Sequence, residues 1–147
     1  MNVGQITRKL RACSQFAGVY AADRLPRTVD RRPRLYVANT DIAAGEGIYW
    51  VAFYFPAADG VAEFFDSAGH PPEHYHPGFR RFILNNARVY KVLRIRLQDY
   101  RSDTCGYYCI FYGIHRCHGC SMEAIVDFFD GQSKWQNDEI IRELFPT

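Results

Sequence analysis

The run Ile48-Tyr49-Trp50-Val51-Ala52-Phe53-Tyr54-Phe55 holds eight consecutive apolar or aromatic residues and not one charge. A strand with one face in water alternates apolar and polar side chains; this one does not, which predicts a central strand covered on both faces. Pro56 to Gly60 turns the chain back, and Val61 to Asp66 reads as the hairpin partner. Arg34 to Asn39 reads as a further strand. Arg88 to Leu97, where apolar and basic residues alternate, reads as a half-exposed one. Around these lie helical patterns over 3–13 and 79–86, the latter with Phe79, Phe82 and Ile83 on one side. Further helices are expected from Thr104 to Cys117, from an N-capping Ser121 to Phe129, and from Asn137 to Phe145 with Ile140, Ile141 and Leu144 inward. Phe16 to Pro26 reads as a connector, and Arg27 to Pro33, Asp41 to Gly47 and Pro72 to Pro77 as loops or turns. Strands in the middle with helices at both ends predict an α+β fold: one domain over 1–147, a central mixed β-sheet flanked by helices.

The chain of 147 residues is 48% hydrophobic, enough for a proper core. No apolar run reaches the roughly 18 residues of a membrane span, and the start lacks the apolar stretch of a secretory signal. The expectation is an intracellular protein, in host nucleus or cytoplasm or packaged in a particle, with no membrane contact and a monomeric state. Five cysteines are an odd number in a chain that needs no staples, so free thiols in a reducing compartment are expected. Net charge is only +2, but eight Lys/Arg stand between Arg8 and Arg34 against Asp23 and Asp30. That stretch reads as a solvated surface, with nucleic acid or an acidic partner as the alternative.

The candidate chemistry sits at Gln98 to Cys109. A polar loop from Gln98 delivers Cys105 to the first turn of an apolar helix, where unpaired N–H groups and the helix dipole stabilise a thiolate. Gly106 leaves the backbone uncluttered, and Gln98 offers an amide N–H to a developing oxyanion. Asp66, at the end of Phe64-Phe65-Asp66-Ser67, is a carboxylate able to reach a neighbouring strand's side chains; the alternative is an acid bonding its own turn. Cysteine catalysis also needs a base or ion-pair partner, normally His.

The order and spacing of Phe16-Ala17-Gly18-Val19-Tyr20, Val37-Ala38-Asn39-Thr40-Asp41, 47–56, Glu63 to Ser67 and Gln98 to Cys109 are similar to those of the adenovirus-type cysteine protease, adenain. The resemblance takes in relatives encoded by adintoviruses and Maverick/Polinton elements, within the clan of the ubiquitin-like-modifier proteases, and spans about residues 3 to 130. It implies Cys105 as nucleophile, Asp66 as third triad member and Gln98 as oxyanion-hole side chain, with Trp50 and Gly106 beside the substrate. It implies viral capsid or core precursor polypeptides as substrates, cut after a Gly-containing motif, and no cofactor. In that family the catalytic histidine directly precedes the tryptophan; here that position is Tyr49.

A phenol, with a reference pKa near 10, neither accepts a proton readily at neutral pH nor forms a cation to pair with a thiolate. Losing such a base costs about 10² to 10⁴ in rate. Tyr49 could instead hydrogen-bond Asp66 and leave a stable, idle site. Two function classes follow: an endopeptidase of virion maturation, and a pseudoprotease binding protein or DNA without cutting. A histidine of the loop after Asp66 (His70, His74 or His76) is a substitute base to be tested, and Tyr49 as a point change is the other alternative. DNA contact, which the resemblance also implies, would run through Arg24, Arg27, Arg31, Arg32 and Arg34. His115, Cys117 and Cys120, with Cys109, have the residue types of a zinc site. Their placement on an otherwise apolar helix reads instead as buried thiols and a helix-end histidine, with no metal.

Overall fold

The computed structural model describes residues 1–45 and 49–146. Ile48, counted into the central strand, and Gly47 of the preceding turn lie outside the described residues. In chain order the elements are α1 (Val3–Leu10), β1 (Phe16–Tyr20), β2 (Arg34–Asn39), β3 (Trp50–Phe55), β4 (Val61–Phe65), α2 (Pro77–Asn86), β5 (Val89–Val92), α3 (Cys105–Cys117), α4 (Met122–Asp127) and α5 (Lys134–Leu144). A 3-10 turn at Pro72–His74 precedes α2. The sheet runs in the order β1-β2-β3-β4-β5. The β2–β3 and β3–β4 pairs are antiparallel and the outer pairs, β1–β2 and β4–β5, are parallel, so the sheet is mixed.

All six residues of β3 are buried, as the uncharged run requires. Trp50, Ala52 and Tyr54 face a core built from α1, α3, α4 and α5. Val51, Phe53 and Phe55 face the other layer, under α2. There Phe53 meets Phe64, Phe79 and Phe82 edge-on, with ring centroids 5.2, 5.3 and 5.4 Å away. Each such pair adds about 0.5–1.5 kcal/mol beyond the area it buries. The second layer is the reason a chain of this length can hold so many aromatic residues inside.

Four expectations are corrected. Phe16–Tyr20 is not a connector but an edge strand, half-buried along its length. Its register slips between Phe16 and Gly18, whose φ of 145° favours glycine, and this irregularity hides the strand pattern. The strand expected over Arg88 to Leu97 ends at Val92. Beyond it Leu93 and Leu97 turn into the core, and the Leu97 and Gln98 N–H groups bond the Ser67 carbonyl instead of continuing the ladder. In α5, Ile141 is buried but Leu144 is exposed; the polar Asn137 and Asp138 take interior places. Finally, Cys13 and Cys117 are not free thiols: they form a disulfide joining the chain after α1 to the last residue of α3. Their Cα atoms are 6.2 Å apart across 104 residues, a pairing created by helix packing and invisible in linear spacing. Cys105 and Cys109 are free and buried, and Cys120 is free and exposed.

Candidate active site

Cys105 is the first residue of α3, and the chain places it beneath β3 as the loop-to-helix pattern implies. Its Sγ accepts the Trp50 backbone N–H at 3.4 Å. Burial raises the thiol's pKa; the Trp50 and Gly106 N–H groups pull it down, and the Asp66 charge pushes it up again. The balance is upward, so helix-end stabilisation does not overcome desolvation and the sulfur stays a thiol at neutral pH.

Tyr49, immediately before β3, reaches the same cleft. Its hydroxyl donates to Gln98 Oε1 at 3.0 Å and lies 3.2 Å from Ser67 Oγ. Ser67 donates to the same Gln98 oxygen. The other end of the amide is occupied as well: Gln98 Nε2 donates to the Ser102 carbonyl at 3.3 Å. Burial, reinforced by the charge of Asp66, raises the Tyr49 pKa far above its ordinary value, so the phenol stays neutral. Asp66, fully buried just past β4, accepts the Ala68 N–H at 2.9 Å, the His70 N–H at 3.2 Å and the hydroxyl of Tyr75. Tyr75, whose ring stacks on Tyr49 at 6.1 Å between centroids, shares this carboxylate with Tyr49, whose phenol Asp66 also holds in its neutral form. The turn reading of Asp66 holds, with Oδ1 taking the Ala68 N–H and Oδ2 shared by the His70 N–H and the Tyr75 hydroxyl.

Trp50 and Gly106 stand together. A Cβ at Gly106 would lie 3.2 Å from Trp50 Cδ1 and 3.1 Å from Met1 Sδ, so only glycine fits there without displacement. The Trp50 indole N–H donates to the Met1 carbonyl at 3.1 Å. A groove of about 290 Å³ is lined by Trp50 and Met1 together with Asn39, Tyr20, Ile42 and Val3 among others. Cys105, Tyr49, Gln98, Asp66, Trp50 and Gly106 are therefore one constellation.

Other candidates fall elsewhere. His70 and His74 stack on each other at 3.9 Å and meet Tyr75 edge-on, and His76 Nδ1 accepts the Gly78 N–H as the cap of α2. No hydrogen bond among the described residues links them to Cys105. Arg32 is turned inward, donating to the carbonyls of Pro56, Ala58 and Val61 at 3.2, 3.2 and 2.8 Å and to that of Asn86. Arg34 bonds Asp30 at 3.1 Å. Arg24, Arg27 and Arg31 are exposed. Cys117 lies in the disulfide, which takes it out of any ligand set with His115 and Cys120. Sequence reasoning missed Ser67 and Tyr75 as partners of the constellation; neither a serine in a turn nor a tyrosine between histidines carries a local signature.

No family model and no curated protein matches the sequence. Among solved structures the chain is similar to the crystal structure of the ASFV pS273R protease, with a TM-score of 0.64 at 22% identity over 98% of this chain. The α+β fold of this chain is shared with that protease. The chain spans 66% of that neighbour's length. The Se-Met crystal structure of the same protease overlaps at a TM-score of 0.45 and 27% identity, covering 79% of this chain and 46% of that one.

Proposed function

We propose that this chain is a pseudoprotease of a DNA virus or virus-like element: it binds an extended segment of a precursor polypeptide beside Trp50 and Gly106 and does not hydrolyse it. The observation that carries this reading is the hydrogen bond from the Tyr49 hydroxyl to Gln98 Oε1 at 3.0 Å. A thiol protease needs a base, a thiolate and an oxyanion donor at once. One phenol in the imidazole's seat removes the base and fixes the glutamine by its carbonyl, while the amide N–H groups are spent on Ser102. The thiol, with no imidazolium beside it and with burial outweighing the Met1 ammonium, stays protonated.

The runner-up, an adenain-like endopeptidase maturing capsid or core precursors, is favoured by the survival of Cys105, Asp66 and Gln98 in one cleft. A paired assay separates the two. The chain and its Tyr49→His variant are given a Gly-containing peptide substrate, and binding and cleavage are both followed. The pseudoprotease reading expects both proteins to bind the peptide and only the variant to cut it, faster by about 10² to 10⁴. Cleavage by the unchanged chain at the variant's rate supports the endopeptidase instead, and absence of peptide binding by both rejects either reading. The exposed Arg24, Arg27 and Arg31 are the proposed DNA contacts, and the infected cell or the particle the proposed location.

A further inference from the structure

Among the described residues, four of the five α-helices begin with a side chain that accepts a hydrogen bond from the first turn: Asn2, His76, Ser121 and Ser133. The helix that opens on Cys105 does not, although its N-cap residue is a threonine, a type well suited to the task. Thr104 is fully buried, and its φ of −87° and ψ of 2° place it in the sparsely populated bridge region instead of the extended conformation of a capping residue. Its hydroxyl turns away from the helix and donates to Asp138 Oδ1 at 3.0 Å. Ser102 Oγ holds the same hydroxyl from the other side at 2.7 Å.

Asp138 belongs to α5 and is only 2% exposed. Besides Thr104 it receives the Tyr108 hydroxyl at 2.7 Å and the Asp99 N–H at 3.1 Å. Its neighbour Asn137 donates to the Leu97 carbonyl at 3.0 Å. All of these partners lie between Leu97 and Tyr108, the segment that carries Gln98 at one end and Cys105 at the other. A carboxylate with three donors in a buried place is a strong and directional anchor.

We infer that Asp138 is a positioning residue: by holding the Thr104 hydroxyl it keeps the first-turn N–H groups of α3 uncapped and free for the Cys105 sulfur. Without that anchor Thr104 relaxes to the ordinary capping conformation. Its oxygen then takes the Gly106 or Tyr107 N–H, the N2 and N3 donors a threonine cap normally satisfies. The sulfur loses a donor that favours its anionic form. The inference rests on the reading of Cys105 as the head of a protease-type cleft, and it adds a residue outside the stretch that resembles adenain.

The test reads Cys105 alkylation by iodoacetamide against pH, resolved by peptide mass spectrometry so that Cys109 and Cys120 are scored separately. The ionisable groups facing Cys105 are Asp66, Tyr49, Tyr75, Cys109 and the Met1 ammonium, and none of them is changed. Asp138→Ala is expected to move the alkylation midpoint up by about one pH unit, a roughly tenfold slower reaction at neutral pH. Adding Thr104→Val removes the competing oxygen and returns the rate to within about threefold of the parent. Asp138→Asn keeps an acceptor for Thr104 and holds the parent rate to about the same margin, which covers the case of an alanine variant that does not fold. Labelling of the fully buried Cys109 reports general opening and stays low throughout. An unchanged midpoint in Asp138→Ala, a double variant as slow as the single one, or loss of rate in Asp138→Asn overturns the inference. Alkylation needs no substrate, so a failure of peptide binding would reject the proposed function and leave this result standing.

Discussion

Tyr75 is the partner that completes the idle site, and its worth can be measured. Its hydroxyl donates to Asp66, a fully buried carboxylate that also accepts two backbone N–H groups. A hydrogen bond to a charged group contributes about 1.5–3 kcal/mol, and its removal leaves a lone pair facing an apolar ring edge. Tyr75→Phe is therefore expected to destabilise the chain by about 1.5–3 kcal/mol. In the Tyr49→His background an imidazole N–H competes for the same oxygen. There the loss should fall to about 0.5 kcal/mol, a coupling of about 1–2.5 kcal/mol between the two positions. Urea unfolding of the four proteins measures it, provided that the slope m stays constant. The same competition predicts that the double variant cleaves peptide about tenfold faster than Tyr49→His alone, since about 1.4 kcal/mol of alignment is recovered. An equal loss of stability in both backgrounds, or a double variant slower than the single, would refute the claim that Tyr75 holds the carboxylate in the imidazole's absence.

Alkali should weaken the fold. Burial raises the pKa of Cys105, Cys109, Tyr49, Tyr75, Tyr108 and Tyr112, so above the unfolded-state values the native state binds more protons than the unfolded one. Their contribution is complete below about pH 8.5 for the thiols and about pH 10 for the phenols and declines as pH rises further; a urea midpoint unchanged across that range would contradict the burial. Among the arginines, Arg32→Ala should cost about 1–3 kcal/mol because its guanidinium serves several half-buried carbonyls, read as a lowered thermal midpoint. Charge reversal of Arg24, Arg27 and Arg31 should abolish retention on a DNA column with the midpoint unmoved; unchanged retention ends the DNA proposal.

The candidate site was legible in outline because its parts are adjacent to strong local patterns. Cys105 opens the apolar run that becomes α3, Asp66 closes the strand after two buried phenylalanines, and Tyr49 abuts the run that becomes β3. Each position follows from the end of an element, and element ends are marked in a sequence by a change of period or a turn residue. The partners of those side chains were not legible. Tyr75 reaches Asp66 from nine residues on, Ser67 and Tyr49 meet at Gln98 from opposite strand ends, and Asp138 anchors its loop from 34 residues beyond Thr104.

By itself the sequence determined that β3 would be covered on both sides, since an uncharged run of aromatic and branched residues has no face to offer water. It determined, too, that no imidazole precedes Trp50. Tertiary structure alone decided which donor would take each lone pair in the cleft, that Cys13 would meet Cys117, and that a polar face of α5 would turn inward. Burial selects side chains by class, which a linear pattern records. Hydrogen bonds and disulfides depend on positions to within a fraction of an ångström, and the packing of distant segments sets those positions.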